Sequence, residues 1–385
     1  MPLSCLHLCT SDAWGGLELY SCTLMKELRN AGCAMVAVCS PHSRIEEYLT
    51  DTGVETINLP SNRTLSFRSL RALTPVLQTR SIDVVHVHFH KDIWLASLLL
   101  RSDVRRRLFL SIYMGVPRKT DPLHRYIYRR VDGVFTSSRE LNRRLPGLYP
   151  ISTERIHYLP YGRDVKAYVR DEKKRVKIRE MYGVKKDEVL VGTMVRIDPG
   201  KSVMDFARSY KYIDEPLRDR VKFLIIGEPT RKGHARDHES PFEPHCEAYL
   251  RELQTFIGTE GFGDRVLLAG FQRDLIGFLS ALDIFVFPSR DELYSLAVLD
   301  AMCLGLPVVA ARAGGTVDQI EDGKSGLFYE VGNSVEAAQK ISLYVSKPEL
   351  RMQHGANGRN FVFQEHDMNG TIHRLLEFYQ QPHLS

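Results

Sequence analysis

The sequence predicts an α/β protein made of two parallel-sheet halves. Short aliphatic and β-branched runs alternate with amphipathic stretches, the alternation pauses after residue 138 and restarts at Val189, and a charged stretch, Tyr168–Asp187, lies between. In the first half, Leu3–Cys9 has strand length and composition and Gly16–Ala31 has helical spacing. Strands follow at Ala34–Ser40, Thr56–Leu59, Asp83–Phe89, Leu108–Tyr113 and Gly133–Ser138, with helices at Ser43–Thr52, Ser66–Thr79 and Ile93–Leu100. The second half has strands at Val189–Val195, Phe223–Gly227, Val266–Gly270, Ile284–Pro288, Pro307–Ala311 and Gly326–Glu330, and Glu228–His245 is expected as a surface loop before a helix. Strands joined by crossovers pair in parallel, so each half should be Rossmann-like. The divisions expected are 1–167, a linker at 168–187, a second domain at 188–360, and a C-terminal helix in 361–385 returning to the first domain.

The chain has 385 residues, 43% hydrophobic and 26% charged, a composition that excludes disorder. No run approaches the roughly 20 apolar residues of a membrane span, and MPLSCLHLCT lacks the basic start of a secretion signal. Seven cysteines without a C-x-x-C pair read as reduced thiols and a cytoplasmic address. The net charge of +5 is uneven, with 23 Lys/Arg against 9 Asp/Glu between Arg101 and Lys186. RSDVRRRL, RKTDPLHRYIYRR and RELNRRL mix Arg with Tyr, Ile and Leu, as a surface on the anionic inner face of a membrane would. No helix-turn-helix, zinc-finger or RRM signature supports nucleic acid as the partner.

Open α/β sheets bind ligands at the carboxyl ends of their strands. Trp14–Glu18 follows the first strand, and Gly15 and Gly16 could bring backbone N–H groups to a diphosphate. In VRIDPGKS (195–202), Arg196 and Lys201 would flank a phosphate, while Val195 stands where a P-loop needs Gly. In HVHFH, His86, His88 and His90 share one strand face; His86 reads as a core residue and His88 or His90 as a donor to sugar or phosphate. No carboxylate or Cys set completes a zinc site there. In SRDELYSLAVLDAMCLGLPVV, Glu292 precedes an apolar helix and Asp300 lies inside it, carboxylates suited to sugar hydroxyls.

Together these motifs resemble the GT-B glycosyltransferases, and within them the retaining family 4 type, over nearly the whole chain. Gly15, Gly16 and Glu18 match the family's Gly-Gly turn. Arg196 and Lys201 match its G-R-L-x-x-x-K-G element, Pro160, Gly162 and Asp164 its Pro-Gly-Asp element, and ELYSLAVLDAMCLGLPVVAARAGGTVDQI its E-x7-E region and following glycines. Asp300 replaces the second Glu, Tyr294-Ser295 the usual Phe-Gly, and Asp318 the glutamate after Gly314-Gly315. The acceptor-side histidine is missing where Tyr113 and Met114 stand, and His88 is its substitute.

The resemblance implies two Rossmann-like domains facing a central cleft, with acceptor on the first and nucleotide sugar on the second. Glu292, Arg196, Lys201 and His88 would be catalytic. Gly15, Gly16, Arg196, Lys201, Phe271, Glu292, backbone N–H groups near Ser295 and Leu296, and Asp300 at the ribose would bind the donor, and His90, Tyr113, Arg118 and Lys119 the acceptor. No cofactor or metal is implied, and the partners would be a nucleotide-diphosphate sugar, a glycan or lipid-linked acceptor and an anionic membrane surface. A GT-B sugar-nucleotide epimerase and an inactive sugar-binding scaffold are the competing readings.

Overall fold

A computed structural model describes residues 2–59, 66–113, 115, 117–232 and 240–381. Met114 and the middle of the 228–245 insertion therefore lie outside the described residues. The described residues divide into two compact units: those up to 162 with 368–381, and 163–232 with 240–367.

The first unit is built on seven parallel strands, β1 (Ser4–Cys9), β2 (Ala34–Cys39), β3 (Glu55–Asn58), β4 (Val84–Val87), β5 (Arg107–Ile112), β6 (Gly133–Thr136) and β7 (Ile156–Tyr158), ordered β3-β2-β1-β4-β5-β6-β7. The second has six, β8 (Val189–Met194), β9 (Val221–Ile226), β10 (Val266–Gly270), β11 (Ile284–Phe287), β12 (Val308–Ala311) and β13 (Gly326–Tyr329), ordered β10-β9-β8-β11-β12-β13. Both sheets are parallel and doubly wound. β1, β4, β5 and β6 are buried throughout, which is why they read as largely apolar runs without polar alternation. Strand order reverses between β1 and β4 in one sheet and between β8 and β11 in the other, opening a crevice at their carboxyl ends.

Two elements differ from expectation. β7 is only three residues long and has no pattern of its own; it forms by adding to the edge of β6. The stretch expected as a linker carries the helix Glu172–Met181, which packs against Leu275–Ala281 within the second unit. Its interface is ionic: Arg175 and Arg179 hold Asp283 at 2.6 and 2.8 Å and cap the carbonyls at the end of that neighbouring helix. In the insertion, Arg231 and Phe242 form an antiparallel bridge just before the helix Pro244–Thr259. The last helix, Met368–Gln380, belongs to the first unit.

Candidate active site

In the second unit the loops after β8 and β11 meet at the crevice. Asp198 caps the turn Pro199–Lys201, its Oδ1 accepting from the Gly200 amide at 2.8 Å. Arg290 bridges the loops: its amide donates to the Gly200 carbonyl at 3.0 Å, and its guanidinium to Ser202 Oγ at 2.7 Å and Asp205 Oδ2 at 2.8 Å. This brings Lys201 Nζ to 2.7 Å from Glu292 Oε2, both side chains about four-fifths buried. The Glu292 carbonyl accepts from the Gly315 amide at 2.9 Å. Gly314, at φ +47°, lies so close that any Cβ would run into that carbonyl, so only glycine fits.

The helix Leu296–Cys303 starts at Ser295, whose hydroxyl accepts from the Val298 amide. The Ser295 amide, expected to face the donor, instead donates to Gln319 Oε1 at 2.9 Å, while Gln319 Nε2 returns a bond to the Ser295 carbonyl at 2.7 Å. Gln319 is fully buried. Leu296, half-buried, is the first residue of the helix.

Arg196 is exposed and makes no hydrogen bond or ion pair among the described residues. Phe271 is half-exposed just after β10. Asp300, expected on a ribose, is 6% exposed, and its Oδ1 accepts from Arg163 Nε and Tyr168 Oη, both at 2.6 Å. One methylene shorter than Glu, its carboxylate stays inside the unit, where it neutralises a buried guanidinium.

In the first unit, the Gly15 amide is spent on Glu18 Oε2 at 2.9 Å and is not free for a phosphate. Gly16 opens the helix Gly16–Asn30. His88, expected as a catalytic group, has both nitrogens engaged: Nδ1 with Tyr113 Oη at 2.8 Å and Nε2 with His7 Nδ1 at 2.9 Å. His7 Nε2 and His86 Nδ1 share the Tyr379 hydroxyl, and His86 Nε2 meets Ser111 Oγ. Burial lowers all three histidines, His88 to about 3, so the cluster is neutral and suited to structure rather than proton transfer.

His88, His90, Tyr113, Leu17 and Tyr149 line a cavity of about 50 Å³. Lys119 is 9% exposed, its ammonium 5.4 Å from the Tyr149 ring centre, and burial lowers its pKa. The same ammonium, after burial, lowers His90. Arg118 is exposed. Part of the basic stretch turns inward: Arg106 bonds the Leu77 carbonyl at 2.8 Å, and Arg130 pairs with Asp132 at 2.9 Å and caps the Leu100 carbonyl. Arg101, Arg105, Arg125, Arg129, Arg143 and Arg144 remain exposed. Among the described residues no helix is long and apolar enough to cross a membrane.

Two doubly wound parallel sheets, each with its loops gathered at a switch point, define the GT-B class of fold. The family described as "Glycosyl transferases group 1" matches residues 174–361 and the "Glycosyl transferase 4-like domain" residues 15–162. The chain belongs to the group 1 glycosyltransferases, in the branch resembling family 4. It is 25% identical to alpha-D-kanosaminyltransferase of Streptomyces kanamyceticus over 69% of this chain and 65% of that protein. It is 27% identical to D-inositol 3-phosphate glycosyltransferase of Saccharomonospora viridis over 54% of this chain and 46% of that one, so it spans less than two thirds of these curated relatives. Anabaena Alr3699/HepE, solved in complex with UDP and glucose, shares the fold with a TM-score of 0.80 at 20% identity, covering 99% of this chain and 100% of that one.

Proposed function

We propose that the protein is a retaining glycosyltransferase that moves a sugar from a nucleotide-diphosphate sugar to a hydroxyl of a glycan or lipid-linked acceptor, without a metal, in cell-surface polysaccharide or lipopolysaccharide synthesis. The observation that carries this reading is the Lys201–Glu292 pair at the β8/β11 switch point, with Arg196 exposed in the same loop. Arg196 grips the diphosphate by its planar fork and Lys201 adds a point charge, so the charge that builds on the leaving group meets fixed cations. Lys201 also orients Glu292, which accepts hydrogen bonds from the donor sugar hydroxyls. The leaving phosphate assists deprotonation of the acceptor, and no side chain serves as nucleophile. Asp300 holds Arg163 and Tyr168 and supports the helix behind the site rather than binding ribose directly.

On the acceptor side, Lys119 beside His90 favours an acceptor carrying a phosphate or carboxylate, which fits a lipid diphosphate carrier. The exposed arginines around the helix Pro122–Tyr128, with exposed Leu123 and Tyr126, suit docking on an anionic bilayer.

Calorimetric titration with UDP, GDP and ADP in chelator tests the reading. Tight binding of one nucleotide, followed by transfer from its sugar with the anomeric configuration kept by NMR, is expected. Binding without any transfer would favour a sugar-binding scaffold, and binding of none would overturn the donor site.

A further inference from the structure

Beyond the donor site, the second unit brings together three side chains that the proposed reaction does not use. Asp198, in the loop after β8, faces His245 and Cys246 in the first turn of the helix Pro244–Thr259. Cys246 Sγ is 3.2 Å from His245 Nε2 and 3.4 Å from Asp198 Oδ2, and His245 Nε2 is 3.9 Å from the same Oδ2. These three atoms form one small triangle. Zinc bound to Cys, His and carboxylate at about 2.3, 2.0 and 2.1 Å in tetrahedral geometry separates its ligand atoms by roughly 3.4–3.6 Å. A point equidistant from the three atoms here lies about 2 Å from each, the distance such an ion takes up.

We propose that Asp198, His245 and Cys246 form a binding site for a Zn²⁺-class ion. The ligand set is soft enough for zinc and wrong for magnesium, which prefers oxygen alone. The thiol now donates to Asp198 Oδ2, and the ion takes the place of that proton. Cys246 is buried, whereas the His245 side chain is 64% exposed, so the fourth position opens toward solvent on the histidine side. The two oxygens of Asp198 divide their work: Oδ1 stays on the Gly200 amide and Oδ2 turns to the ion. The ion would thus staple the start of the helix to the loop that carries Lys201. This role is separate from the transfer chemistry and does not depend on the identity of the donor.

The test uses the full-length, untagged protein stripped of metal. Titration with Co²⁺ is expected to give one equivalent of bound ion, a thiolate-to-cobalt charge-transfer band and the strong visible bands of a tetrahedral site, all abolished by one equivalent of Zn²⁺. Cys246→Ser should lose the charge-transfer band. His245→Ala, at an exposed position that leaves the fold intact, should bind Co²⁺ at least about tenfold more weakly. The proposal is overturned if the wild type shows no such band, if the band survives in Cys246→Ser, or if His245→Ala binds as tightly as the wild type. Nucleotide affinity is measured on the same protein with and without Zn²⁺; no binding in either state would count against the donor site and leave the metal result standing.

Discussion

Lys201 Nζ and Glu292 Oε2 stand 2.7 Å apart, joining the loops that follow two neighbouring strands of the second sheet. Each side chain is the other's partner before any substrate arrives. Removing either therefore strands a charge, and the two substitutions should differ in what they affect.

Lys201→Ala should weaken nucleoside-diphosphate binding by about 1.5–3 kcal/mol, the worth of a hydrogen bond to a charged group. Glu292→Gln keeps the size and should leave nucleotide affinity within a few fold while lowering turnover by roughly a hundredfold or more. Calorimetry and initial rates on both variants separate the roles. Equal loss of affinity in the two would refute the assignment of Glu292 to the sugar.

Asp300→Asn should act on stability first. It removes the carboxylate charge that Arg163 Nε meets inside the unit, a loss of up to about 3–5 kcal/mol. Tyr168→Phe removes one bond to the same oxygen and should cost only about 1 kcal/mol. Urea midpoints read both effects; an unchanged midpoint in Asp300→Asn together with lost nucleotide binding would restore the ribose role.

Gly314→Ala should lower both thermal midpoint and activity, because a Cβ at this φ meets the Glu292 carbonyl and displaces the loop. A strained position of this kind is worth about 1–3 kcal/mol. Wild-type kcat with a lowered midpoint would show that the loop yields without moving Glu292.

The His7, His86 and His88 cluster gives acid sensitivity of known sign. Each is held neutral when folded, so each contributes stability above the ordinary histidine pKa near 6.5 and loses it as pH falls toward the depressed folded values. Asp92, which burial pushes up to about 6, acts in the opposite sense between its unfolded value and 6, but as one group against three. Net loss of stability below pH 6.5 is expected, by up to about 1.4 kcal/mol per pH unit for each histidine. Urea midpoints at pH 7.5 and 5.5 measure it. No difference between them would mean the cluster is protonated or open.

The parallel sheets were legible because strands buried on both faces leave largely apolar runs, as in β1 and β8. The Lys201–Glu292 meeting was legible only as two motifs, since the resemblance named both residues but spacing did not pair them. Glu172–Met181 read as a linker because its packing relies on Arg175 and Arg179, not on an apolar stripe, so helical periodicity carries little of it. Gln319 gave no signal: its amide clamps Ser295 across 24 positions of chain, and a lone Gln beside a helix start has many uses. His88 misled for the opposite reason. A histidine near a strand end suggests chemistry, but only the fold shows that His7 and Tyr113 already occupy its nitrogens.

Tyr379 closes the histidine cluster from the helix Met368–Gln380, although its partners His7 and His86 lie near the other end of the chain. During synthesis the first sheet therefore emerges with His86 Nδ1 and His7 Nε2 lacking the Tyr379 hydroxyl, and waits while the whole second unit is made. At ribosomal speeds of about 5–20 residues per second this interval is roughly ten to forty seconds. The earlier of the two units is thus completed only after the later one, and a nascent chain halted in the second unit would present the quality-control machinery with an unfinished first one.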